Sequence, residues 1–163
     1  MAQLLITRDD VKNEQRHRNF SNTLNPLLEL GALPILNEND TVATDEIVIG
    51  DNATLAAIVA ESVKADLLIL LSDIDGLYTA DPHRDTEAKR LTHVPALTEA
   101  VYALAGVSAS TQGTGGMVTK LQASKICLDA GCAMVIANGN TPENLYDILD
   151  GKPVGTLFGE VTL

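Results

Sequence analysis

Four short stretches carry residue types that could do chemistry. The richest is QGTGGMVTK, residues 112–120, with glycines at Gly113, Gly115 and Gly116, then Lys120, then the helix-like run LQASKICLDAG. Glycines let backbone amides approach an anion, and a helix starting just beyond turns its positive end toward it. A lysine in that first turn adds a point charge. The stretch is not a Walker loop, which needs glycine directly before the lysine and serine or threonine after it. Here Thr119 precedes Lys120 and Leu121 follows. By composition alone it reads equally as a phosphate grip and as a glycine-rich turn with a surface lysine.

The other three stretches are NEND (37–40), GDN (50–52) and SDIDG (72–76). Asp73, Asp75 and Gly76 hint at a calcium loop. Leu77 stands where the fifth-position ligand belongs, and the twelfth-position glutamate is missing, so that reading fails. An Asx-rich turn closing a strand accounts for the DG pair.

The elements that would position these residues alternate in type. Residues 10–30 have Phe20, Leu24, Leu27 and Leu28 at helical spacing, with Pro26 as an irritant and Gly31 as a stop. ALPIL (32–36) predicts a short strand leading into NEND, and EIVIGDN a second one through Ile47, Val48 and Ile49. Asp51 or Asn52 can cap the helix TLAAIVAESVKA. LLILL (67–71) is an uninterrupted apolar run, the pattern of a strand buried on both faces of a parallel sheet. Residues 79–93 are polar and predict a surface excursion. TEAVYALAG (98–106) predicts a helix capped by Thr98 and stopped by Gly106. The helix after the glycine loop runs to about Ala130, with Met117, Leu121, Ser124 and Leu128 on one face and Lys125 and Asp129 paired four apart on another. AMVIA (133–137) predicts another strand ending in NGN, and ENLYDILDG (143–151) a short helix.

Strands alternating with helices predict an α/β class with a mostly parallel sheet. Three apolar strands end in small polar groups: Asn37 to Asp40, Ser72 and Asp73, Asn138 to Asn140. Open α/β sheets bind ligands outside the carboxyl ends of their strands, so these endings and the glycine loop together predict a small-molecule site.

Whole-chain properties narrow the function. The chain has 163 residues, 45% of them hydrophobic, enough for one domain that buries roughly two thirds of its unfolded surface. There is no basic start followed by a long apolar centre, and no apolar run near the length of a membrane span. A formal net charge of −11 with few, scattered cations argues against nucleic acid, whose binders show a basic stripe. Any anionic ligand must be held by helix ends, loop amides, one or two lysines, or a metal ion arriving with it. Cys127 and Cys132 fit no metal or redox spacing and read as reduced thiols of a cytoplasmic protein.

LNENDTVATDEIVIGDN, LLSDIDGLYTADP and GTGGMVTKLQA, in that order and spacing, resemble the amino acid kinase family, and within it the branch that phosphorylates glutamate. The resemblance runs over nearly the whole chain. The DxxGLYxxDP pattern is shared by several branches; NEND with GDN and GTGGMxTK is much more specific. The resemblance implies a three-layer α/β/α sandwich with a mostly parallel sheet. It implies transfer of the ATP γ-phosphoryl to the L-glutamate γ-carboxylate, giving γ-glutamyl phosphate in the first step of proline biosynthesis. It further implies Mg2+ brought with the nucleotide. If part of a continuous sheet is missing, a bare strand edge and an apolar patch predict a homo-oligomer.

Roles follow by position. Asp40 and Asn52, with Asp51 beside it, match substrate-binding residues. Ser72 and Asp73 stand where relatives have a threonine and an aspartate touching the nucleotide. Thr114, Gly115, Gly116, Met117, Val118, Thr119 and Lys120 match the nucleotide loop, with Lys120 facing the transferred phosphoryl. Two departures stand out. Ala53 follows GDN where relatives carry an acidic residue. By the resemblance, about a hundred further residues with a lysine-glycine loop and a Ser-Gly-Ala loop precede the position where this chain opens, and many relatives add an RNA-modification-like domain after it. The single 163-residue domain is thus expected to be a partial kinase domain. A non-catalytic nucleotide-binding or regulatory module is the alternative, and a kinase acting on aspartate or N-acetylglutamate a third.

Overall fold

The computed structural model describes residues 1–42, 51–82, 84–107 and 116–161. Two strands open the chain: β1 (Ala2–Ile6) and β2 (Pro34–Glu38) pair in parallel, Ala2 opposite Pro34 and Ile6 opposite Glu38. Between them run α1 (Arg8–Lys12) and α2 (Glu14–Glu29). The single helix foreseen over 10–30 breaks at Asn13, whose extended backbone (ψ 121°) leaves α1 and whose side chain accepts from the amides of Gln15 and Arg16. Asparagine caps better than it continues a helix. Pro26 sits inside α2 on an exposed turn, and Gly31 ends the segment at φ +68°.

The second sheet has the order β3-β5-β6-β4, from β3 (Leu67–Ser72), β4 (His93–Val94), β5 (Ala133–Asn138) and β6 (Thr156–Phe158). β3 and β5 are parallel, as are β4 and β6, but β6 runs antiparallel to β5. The sheet is therefore mixed. β1, β4 and β6 were not foreseen from the sequence, and β2 lies two residues further along than ALPIL indicated. The strand foreseen at Ile47, Val48 and Ile49 falls outside the described residues. Gly106 does not stop α4 (Glu99–Val107), which passes through it.

α3 (Asn52–Val63) and α5 (Met117–Asp129) pack side by side on one face of this sheet, with α4 against α5. Met134 and Ile136 point from β5 into that layer, joined by Leu121, Cys127, Leu77 and Phe158. Val135 and Ala137 point the other way, to Ile148 of α6 (Asn144–Leu149). This alternation buries β5 on both faces and makes three layers. The foreseen face of α5 holds: Met117, Leu121 and Ser124 are buried, and Lys125 Nζ reaches Asp129 at 2.7 Å on the outside.

Among the described residues no ladder joins β2 to β3. α3 bridges them, sending Leu55 into a cluster with Ile6, Phe20 and Leu24, and Ala57 and Ala60 into the main core. Beside it lies a largely apolar cavity of about 490 Å³, lined by Leu36, Leu55, Val59, Val63, Leu67 and Leu68 among others. No helix among the described residues is long and apolar enough to cross a membrane.

Candidate functional site at the carboxyl edge of the sheet

α3 and α5 enter the sheet by the same device. Each ends in a residue with positive φ, Lys64 (φ 53°) after α3 and Gly131 (φ 75°) after α5. Each then sends an amide back five residues, Ala65 to the Ala60 carbonyl and Cys132 to the Cys127 carbonyl, both at 2.9 Å. Such C-caps reverse the chain sharply. Both helices consequently run antiparallel to the strand that follows, and their N-termini lie at the carboxyl ends of β3 and β5. Two positive helix ends face the edge where Ser72, Asp73 and Asn138 emerge. The Gly139 amide donates to the Ser72 carbonyl at 2.7 Å and ties the two strand ends together.

At the start of α5, Gly116 is the N-cap, exposed, with φ −64° and open space where a Cβ would stand. Neither conformation nor crowding demands glycine at this position. The Thr119 hydroxyl donates to the Gly116 carbonyl at 2.8 Å. Met117 turns its side chain into the core, so only its backbone can meet a ligand. Val118 is exposed, and Lys120 stands in the first turn, where the sequence placed it, but half-buried. Thr114 and Gly115 lie outside the described residues.

At the start of α3, both oxygens of the Asp51 carboxylate are engaged: Oδ1 accepts from the Thr54 amide at 2.9 Å and Oδ2 from the Thr54 hydroxyl at 2.8 Å. Asp51 is thus the N-cap the sequence allowed, and Asn52 stays exposed beside it. Ala53 packs partly into the main core. Asn52 and Asn37, near the end of β2, line the same cavity. The end of β2 and the start of α3 therefore face one another. Asp40 follows in an exposed turn that the Asn39 amide anchors to the Ile6 carbonyl at 2.8 Å.

At the end of β3, Ser72 is half-buried and its hydroxyl donates to the exposed Asp73 Oδ1 at 2.9 Å. The next turn holds the Tyr78 hydroxyl on Asp75 Oδ2 at 2.9 Å. Burial and this bond push the tyrosine above its usual range. Among the described residues no three His, Cys, Asp or Glu side chains cluster. Cys127 and Cys132 are buried free thiols.

Ser72 and Asp73 thus stand at the end of β3, and Asn52 and Lys120 in the first turns of two helices whose positive N-termini can help hold an anion. The sequence profile of the amino acid kinase family matches residues 1–138. A glutamate 5-kinase of Rhodospirillum rubrum is 60% identical over 151 residues, 93% of this chain and 40% of that protein. One from Clostridium tetani is 47% identical over 161 residues, 99% of this chain and 60% of that protein. The chain spans about half the length of the curated relatives it matches. Among solved structures, the isopentenyl phosphate kinase of T. acidophilum superposes with a TM-score of 0.62 at 22% identity, over 97% of this chain and 60% of that one. The carbamate kinase of Giardia lamblia also scores 0.62, at 21% identity, over 85% of this chain and 43% of that one. Those two likenesses speak for the fold; the match over residues 1–138 places the chain in the amino acid kinase family.

Proposed function

We propose that residues 1–163 are part of a glutamate 5-kinase domain that moves the ATP γ-phosphoryl onto the γ-carboxylate of L-glutamate. The observation that carries this reading is identity of 47 to 60% with proteins named glutamate 5-kinase over 93 to 99% of the chain. The geometry supports it. Lys120 and the start of α5 face the phosphate side. Ser72 and Asp73 serve the nucleotide with Gly116 to Thr119 and the preceding Thr114 and Gly115. Asp40, Asp51 and Asn52 serve glutamate.

The acceptor carboxylate is already ionised at neutral pH, so no general base is required. Its oxygen forms the new bond to phosphorus as the bond to the ADP oxygen breaks. Catalysis rests on positioning and charge neutralisation. Mg2+ arrives on the nucleotide phosphates, as magnesium does in most kinases. Among the described residues no strand pairs with the outer edge of β2 or of β3, and with the apolar cavity beside them these edges favour self-association.

The test is hydroxylamine trapping of γ-glutamyl phosphate, with this chain and with one extended toward the length of its relatives. ATP- and glutamate-dependent hydroxamate from the extended chain supports the proposal. MgATP binding with no hydroxamate from either chain supports a nucleotide-binding module instead. The chain alone is expected to turn over slowly, since losing a single preorganised donor costs about 100- to 1,000-fold.

A further inference from the structure

Thr156, in β6, is completely buried and lies far from every residue assigned above in sequence. Its hydroxyl donates to the Leu91 carbonyl at 2.5 Å and accepts from the Leu77 amide at 2.9 Å. Those two bonds fix the rotor in one direction. They also join three segments, because the Leu91 amide returns to the Leu77 carbonyl at 2.8 Å. Gly76 sits against the same hydroxyl: a Cβ there would lie 2.3 Å from Thr156 Oγ1, and its φ is +152°. The turn is moulded on this side chain.

The turn in question is the one that begins at Ser72 and Asp73. Ser72 is held by the β3 ladder and by the Gly139 amide. Leu77 is held by Thr156. Only Asp73, Ile74, Asp75 and Gly76 span the distance between the two anchors. With both ends of so short a bridge fixed, the backbone path through Asp73 is constrained, and the Ser72 hydroxyl, donating to Asp73 Oδ1 at 2.9 Å, orients the carboxylate upon it.

We infer that Thr156 is a positioning residue for the nucleotide-binding turn: its hydroxyl, through the Leu77 amide and the fit of Gly76, holds Asp73 where the nucleotide meets the carboxyl edge. This rests on the nucleotide reading proposed above. Valine has the shape of threonine without the hydroxyl and leaves a buried N–H and a buried carbonyl unmatched, whereas serine keeps both bonds.

The experiment compares this chain with Thr156→Val, Thr156→Ser and Gly76→Ala. Two quantities are read well below each variant's melting temperature: hydrogen exchange at the Leu77 amide, and MgATP affinity by calorimetry. In Thr156→Val, Leu77 is expected to lose protection while β3 and β5 keep theirs, and the MgATP Kd to rise about tenfold. Thr156→Ser should restore both. Gly76→Ala, which drives a methyl into the same hydroxyl, should weaken MgATP even if the valine variant fails to fold. A residue serving stability alone would lower the melting temperature and leave Kd unchanged in every folded variant, and that result overturns the inference. Leu77 still protected in Thr156→Val overturns it as well. An unaltered chain with Leu77 protected but no MgATP affinity overturns the nucleotide reading itself, and this role with it.

Discussion

Replacing Asp51 separates two roles that the geometry lays on one carboxylate. Oδ1 satisfies the Thr54 amide, one of the orphan donors at the start of α3, and Oδ2 holds the Thr54 hydroxyl. The charge also faces the positive end of a twelve-residue helix. Losing a cap of this kind costs about 1 kcal/mol, and losing an anion at a helix start about 0.3–1 kcal/mol more. Asp51→Ala is therefore expected to cost about 1–2 kcal/mol. At about 2–4 °C per kcal/mol for a chain of this size, the melting temperature should fall by about 2–8 °C. Asp51→Asn keeps one oxygen acceptor and should lose about half as much. Thermal unfolding followed by circular dichroism reads both. An alanine variant that melts with the unaltered chain would show that Thr54 finds another acceptor and that the cap contributes nothing. The asparagine variant, in an active extended chain, then isolates the charge. An aspartate can attract only the α-ammonium of glutamate, so a raised glutamate KM supports substrate contact. An unchanged KM would leave Asp51 to the helix alone.

Lys120→Met keeps stem volume and helix propensity and removes the charge. Because Lys120 is half-buried, the change should cost about 1 kcal/mol of stability, yet lower kcat about 100-fold or more in an active extended chain; unchanged kcat would reduce the glycine stretch to a turn. Burial pushes the Cys127 thiol from 9.0 up to about 12. A thiol raised in the folded state stabilises fully below its unfolded value and loses that contribution as pH rises through the folded one. The unfolding free energy from urea titrations should fall above pH 9 by about 1.4 kcal/mol per pH unit from this group. Cys127→Ala should flatten that slope, and an identical slope in the variant would refute the assignment. Light scattering should find dimers or larger species with apolar dye bound. A monomer at high concentration that binds no dye would count against association through the edges of β2 and β3.

The sequence by itself determined what depends on neighbours along the chain. Leu67 to Leu71 and Ala133 to Ala137 declared strands because no polar residue interrupts them, but only β5 is buried on both faces. The burial expected of LLILL is not reached, since β3 is half-buried except at Leu71, which is exposed. Met117, Leu121 and Ser124 declared the buried face of α5 because helical periodicity puts them there. Asp51 or Asn52 declared a cap before TLAAIVAESVKA because such residues favour helix starts; the structure chose Asp51, whose carboxylate takes the Thr54 amide. The family motifs pointed to the chemistry. Tertiary structure decided the rest. β1 and β6 are short strands of little independent stability, formed because β2 and β5 lie beside them. Nothing local marks Ala2–Ile6 or Thr156–Phe158 as extended. The reversal of β6 against β5 is likewise a matter of which edge the chain returns to. Met117 sits within the loop motif, yet the core claims its side chain. Thr156 reaches Leu77 across 79 positions. A hydrogen bond of that span has no periodicity and no spacing rule; it exists only once the sheet has brought β6 beside the turn after β3.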